Sequence, residues 1–172
     1  GNRLIVEGYV DTASALCAGV RAQWARYDKP AAQRKFQREH GFHPLQCRIS
    51  NGHLQDPREV IMRYIELAHR AGFTIHVHVI GDRAVQTAID AIEAARASDG
   101  VTTRPDTLAH LQFVSPADIE RIGRDRLYAA FTYSWATWEY EYNMRVFPFL
   151  EPGAEDRMYP VRSVQRAGGI LV

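Results

Sequence analysis

The apolar positions of this chain change period along its length. From about residue 56 onward, short β-branched runs alternate with stretches in which apolar residues recur every three or four positions. That beat of strand and helix predicts an α/β fold built on a parallel sheet. In the first helix, over residues 57–71, Val60, Ile61, Tyr64, Ile65 and Ala68 form the apolar stripe, with Asp56 as N-cap, Pro57 at the first helical position and Gly72 as the stop. Residues 73–80 are the strongest strand. Gly81 and Asp82 then turn it into a helix over 83–97, carried by Val85, Ala88, Ile89, Ile92 and Ala95. A third unit pairs a strand at 108–114 with a short helix to about Gly123, opened by Ser115 as N-cap and Pro116. A strand at 127–133, a helix at 160–167 and a terminal strand after Gly168 and Gly169 complete the series.

Residues 11–51 break this rhythm and read as an insertion: 13–26 has helical character, and 29–40 is a charged, solvent-facing segment. At 172 residues and 46% hydrophobic, the chain can bury one sizeable core, so one domain or part of one is expected. Both ends run on apolar, strand-like segments, Leu4-Ile5-Val6 and Ile170-Leu171-Val172, which suggests a piece of something larger. The 21 Lys and Arg against 20 Asp and Glu leave no basic footprint for nucleic acid or an anionic membrane, and no run is long enough to span a bilayer. Cys17 and Cys47 have neither metal-ligand spacing nor the density of a disulfide scaffold, which suits a reducing cytoplasm; a single disulfide stays open.

The candidate chemistry lies on the strands. His76 and His78, two apart, point to the same side while the intervening valines point to the other. Paired imidazoles on one face suit a metal ion, and they equally suit hydrogen-bonded core histidines. Position favours the first reading. His78 lies near the C-terminal end of its strand, where parallel barrels keep their active sites, and His110 occupies a comparable place one unit later. Asp82 reads as a helix N-cap or a catalytic acid, and Arg83 flanks the same mouth. Trp135 lies in an aromatic run that lines the mouth or packs on the insertion. His40, His43, His53 and His69, scattered among polar segments, read as surface residues.

The run His76-Val77-His78-Val79-Ile80-Gly81-Asp82-Arg83-Ala84-Val85, followed by Leu108-Ala109-His110-Leu111-Gln112, resembles the fifth- and sixth-strand motifs of amidohydrolase family 3, which includes N-substituted formamide deformylases. The similarity runs from about Leu4 to the C-terminus. It implies a partial TIM (β/α)8-type barrel, with this chain supplying strands four to seven and the start of strand eight. It further implies His78 and His110 as ligands of a divalent metal, zinc foremost, with His76 a neighbour that orients a ligand or contacts substrate; Asp82 is the catalytic candidate by position alone, beside its N-cap reading, and Arg83 and Trp135 are the other substrate-contact candidates at the mouth. The implied activity is hydrolysis of carbon–nitrogen bonds other than peptide bonds in a small amide-like substrate, in a cytoplasmic protein for which a homo-oligomer is an open option.

Three departures from the family pattern point to a chain inactive by itself. The first-strand His-x-His pair and the eighth-strand aspartate are absent, Arg3 stands where a carboxylated lysine is usual, Ala109 stands where an acid often precedes the sixth-strand histidine, and Glu7-Gly8 stands for the usual Asp-Gly after strand four. Two alternatives accompany this reading: an inactive barrel fragment serving as a binding or assembly module, and a doubly wound open sheet of flavodoxin type. The latter would want a phosphate-binding glycine loop, which the sequence does not offer.

Overall fold

A computed structural model describes residues 11–48, 54–136 and 157–172. They belong to two compact units.

The larger unit, residues 54–136 with 157–172, holds the predicted strand and helix series. Its elements are α3 (Arg58–Arg70), β1 (His76–Val79), α4 (Asp82–Asp99), β2 (Thr107–His110), α5 (Pro116–Arg124), β3 (Tyr128–Phe131), α6 (Val161–Ala167) and β4 (Ile170–Leu171); α1 and α2 lie in the smaller unit. The four strands are parallel and ordered β1-β2-β3-β4, with His76 opposite Thr107, Thr107 opposite Tyr128 and Tyr128 opposite Ile170. Strand order that follows chain order is what a segment of a barrel requires. A doubly wound sheet reverses direction at a switch point, and the described strands contain none.

Alternation along the strands sets the two faces. Ile75 and Val79 are buried toward the helices while His76, His78 and Ile80 are exposed on the other side. The core therefore lies between sheet and helices, built from Ile65, Val79, Ile89, Ile92, Leu108, Ile122, Leu127 and Val164 among others. Helix packs on helix in chain order, α3 on α4, α4 on α5 and α5 on α6. The last contact is unusually close: a Cβ on Gly123 would lie 1.9 Å from the carbonyl oxygen of Ala167.

Several boundaries differ from expectation for local reasons. Asp56 does not cap α3; Pro57, in extended conformation, takes the cap position with no side-chain hydrogen bond. Gly81 holds the cap position of α4, so Asp82 is its first helical residue. β2 stops at His110 because His110 and Leu111 both have left-handed backbones, φ 77° and 50°. Ser115 caps α5 as expected, accepting from the Asp118 backbone N–H. Gly168, at φ 105°, ends α6.

The end of the sheet where the strands begin is closed by a buried polar network. Asp106 accepts hydrogen bonds from the Ile75 backbone N–H at 3.1 Å and from Arg96 Nε at 2.9 Å. Arg96 also donates to the carbonyls of Asp125 and Arg104. His69 is fully buried here, its Nδ1 2.7 Å from Asp99 and its Nε2 3.5 Å from Asp106, and Arg104 donates to its carbonyl. The expectation of a surface His69 is thereby corrected: α3 turns that position inward against two carboxylates.

The smaller described unit, residues 11–48, consists of α1 (Ala15–Ala22), α2 (Pro30–His40) and short 3-10 turns at Trp24–Arg26 and Pro44–Cys47. Residues 13–26 contain α1 and the first 3-10 turn, in line with their helical character, whereas the charged, solvent-facing segment 29–40 is itself a helix, in which only Phe36 is buried. Cys17 and Cys47 form a disulfide at the centre of its core, beside Val20 and Phe36 and ringed by Trp24, Tyr27 and Phe42. The thiols that suited a reducing compartment are thus bonded to each other. His43 is buried rather than at the surface, because it caps the second 3-10 turn: its Nδ1 accepts from the Leu45 backbone N–H while Gln46 reaches back to its own N–H. His40 is exposed, with its ring against Phe36. The strand expected at residues 4–6, Glu7-Gly8, Arg3 and His53 lie outside the described residues.

Candidate functional site

Three histidines lie on the side of the sheet away from the helices, His78 and His110 near the C-terminal ends of β1 and β2 and His76 at the start of β1. His76 and His78 are there by alternation, their ring centres 6.2 Å apart. His110 reaches the same place by another route. Its register partners Val79 and Phe131 are buried toward the helices, so simple alternation would send it there too. The left-handed backbone at His110 removes it from that row, and its ring lies against His78 with centres 4.8 Å apart. His78 Nδ1 and His110 Nε2 face each other across 2.6 Å.

Two further side chains hold the His110 ring. Thr132, just past the end of β3, puts Oγ1 2.7 Å from His110 Nδ1. Trp135, in the 3-10 turn Tyr133–Trp135, stacks on the ring at 4.6 Å and 11° while staying half exposed. Desolvation, then the neighbouring charges of His78 and His76, holds His110 below its ordinary pKa, so the neutral ring is favoured. Neutral imidazole is the form that ligates metals.

The pair fits part of a metal site. Two imidazole nitrogens already aimed at each other need only move apart to the roughly 3.3 Å that tetrahedral Zn–N bonds of about 2.0–2.1 Å imply. Among the described residues, no group of three or more His, Cys, Asp or Glu could hold an ion, so the two histidines would be a half-site within them.

Asp82 and Arg83 lie just beyond the same strand end. Asp82 is buried and its Oδ1 accepts from the Arg83 backbone N–H at 2.7 Å, the role of an acid in the first turn of a helix. Arg83 is partly exposed. The aromatic run expected beyond strand seven is described only as far as Ala136. The structure thus brings together His76, His78, His110 and Trp135, and it adds Thr132, which sequence reasoning passed over. A hydroxyl residue directly after a β-rich run was the available signal.

The solved structures that share this fold include two crystal structures of uncharacterized metal-dependent hydrolases, from Pyrococcus furiosus and Pyrococcus horikoshii OT3. They superimpose with TM-scores of 0.58 and 0.55 at 21% and 19% identity, covering 75% and 69% of this chain. Among curated proteins, the exoenzymes regulatory protein AepA of Pectobacterium carotovorum subsp. carotovorum is 32% identical over 91 residues, half of this chain. The chain spans 19% of that relative's length and 24% and 22% of the two solved chains. No helix among the described residues is long and apolar enough to cross a membrane. The sequence pattern of the amidohydrolase family matches residues 22–172, and the chain belongs to that family.

Proposed function

We propose that the polypeptide to which this chain contributes is a metal-dependent hydrolase of carbon–nitrogen bonds other than peptide bonds, acting on small amide, N-acyl or N-formyl compounds. In this reading the chain supplies strands four to eight of its barrel. The observation that carries the proposal is the facing pair of His78 Nδ1 and His110 Nε2 at the C-terminal ends of adjacent parallel strands.

His78 and His110 would hold the ion, with zinc the first candidate on the strength of the imidazole donors. A divalent metal bound there supplies a water of lowered pKa and polarises the substrate carbonyl. His76, on the same face, is positioned to contact substrate beside the pair. Trp135 offers a flat apolar wall on the far side of His110. Arg83, at the start of α4, places a fixed positive charge near the strand end. Asp82 accepts the Arg83 N–H through Oδ1 at the start of α4 and is the acid nearest this strand end for a proton-handling role.

That the two solved relatives are metal-dependent hydrolases supports this proposal. A second reading, a non-catalytic binding or assembly module, is favoured by the regulatory description of the curated relative and by the two-histidine half-site. Equilibrium dialysis against zinc followed by elemental analysis separates them. The hydrolase reading expects one ion per chain, lost in both His78→Ala and His110→Ala; a zinc-free wild type would leave the module reading.

A further inference from the structure

Thr132 has no place in the chemistry described so far, yet it is the hydrogen-bonding partner of the nitrogen of His110 that faces away from His78. A neutral imidazole carries one N–H and one lone pair, and its neighbours decide which nitrogen has which. His110 is the residue for which this matters most, because its Nε2 faces the other histidine.

We propose that Thr132 is a positioning residue that fixes His110 as the Nδ1–H tautomer, leaving the Nε2 lone pair as the donor of the half-site. The inference rests on the reading of His78 and His110 as a metal pair. Three observations support it. The Thr132 hydroxyl, at 2.7 Å, can accept the Nδ1 proton. Trp135 lies nearly parallel to the ring and restrains its rotation about χ2. The backbone at His110 and Leu111 is left-handed in two successive non-glycine residues, a conformation that persists only where the surroundings enforce it. That conformation falls on the histidine whose ring meets His78, Thr132 and Trp135.

The arrangement fixes the hydrogen-bond order as well. With the His110 proton on Nδ1 and given to Thr132, the 2.6 Å contact requires His78 to donate its own Nδ1–H to His110 Nε2. Zinc binding between the two would move the His78 proton to Nε2 and leave the His110 tautomer as it was. The histidines are therefore unequal: His110 is set in advance, and His78 rearranges.

The test is the pair of Thr132→Val, nearly isosteric, and Thr132→Ser, which restores the hydroxyl. Histidine tautomers are read by 15N–1H correlation in the metal-free chain and again with zinc, and zinc affinity is measured by competition with a chelating dye. The expected result is a wild-type His110 in the Nδ1–H form with and without zinc. Thr132→Val should shift the metal-free tautomer toward Nε2–H and weaken zinc binding about 10- to 100-fold, as loss of a ligand's supporting hydrogen bond does; Thr132→Ser should recover both. An Nε2–H tautomer in the wild type, or a Thr132→Val chain unchanged in tautomer and affinity, overturns the inference while leaving the metal pair standing. A wild type that binds no zinc ends the metal reading instead, and the tautomer spectra then decide the role of Thr132 by themselves.

Discussion

A histidine that accepts a hydrogen bond must be unprotonated to do so, and His43 is one, taking the Leu45 N–H at the head of the turn Pro44–Cys47. Burial lowers its pKa from the ordinary 6.5. Stability that depends on the neutral ring is therefore fully present above that value and is lost as pH falls through the folded pKa. Asparagine can cap the same turn without titrating. His43→Asn is accordingly expected to reduce the loss of hydrogen-exchange protection in residues 11–48 between about pH 7.5 and about pH 5. An equal loss in wild type and variant would assign that pH dependence elsewhere. At the other unit's buried end, Asp106 is fully enclosed and pairs with Arg96 at 2.8 Å. Asp106→Asn leaves that guanidinium without its charge partner and should destabilise by about 3–5 kcal/mol, read from chemical denaturation. Arg58→Ala, which breaks an exposed pair with Asp90, should cost under about 1 kcal/mol in the same experiment.

Among the elements, the contact between α5 and α6 has the least room. The Cβ of an alanine at position 123 would sit 1.9 Å from a backbone oxygen, an obstacle that cannot rotate away as a side chain can. Gly123→Ala is expected to cost about 3 kcal/mol or more, at the upper end of overpacking, and to loosen α6 and β4 before β1 and β2. Uniform loss of protection across the sheet in hydrogen exchange would contradict the local account. This contact also shows where sequence reading stops. The strands, the Ser115 cap and the placing of His76 and His78 on one face follow from period and local hydrogen bonding, which depend on near neighbours in the chain. Gly123 reads only as a helix end, because Ala167 is 44 positions away and nothing local records its approach. His69 reads as a surface residue for the same reason: the carboxylates that accommodate it lie 30 and 37 residues on. The strand end at His110 is legible from the pattern, but alternation alone turns the residue toward Val79 and Phe131; the left-handed backbone that brings it to His78 is set by packing beyond the local pattern.

At the scale of the whole molecule, the two units are held together internally by different means. The strand and helix unit has a continuous apolar core between sheet and helices, while residues 11–48 gather a few aromatic side chains around one disulfide. Among the described residues that core is small, and cross-linking two positions 30 residues apart should stabilise the unit by about 3.5 kcal/mol through the unfolded chain's lost freedom. Arg21 adds to the closure by donating to the carbonyls of Thr12 and Cys47, so opening the bond also releases the end of α1. Reduction of the chain, or the Cys17→Ser/Cys47→Ser variant, is therefore expected to expose residues 11–48 to proteolysis and rapid hydrogen exchange while β1 to β3 keep their protection. A unit that depends on this bond is stable only where thiols are not kept reduced. Thiol titration of the chain recovered from its native compartment checks that step. No free thiol per chain would mean that the smaller unit is folded where the protein works. Two free thiols, with residues 11–48 still protected, would show that the aromatic cluster suffices and remove the disulfide from the account of its stability.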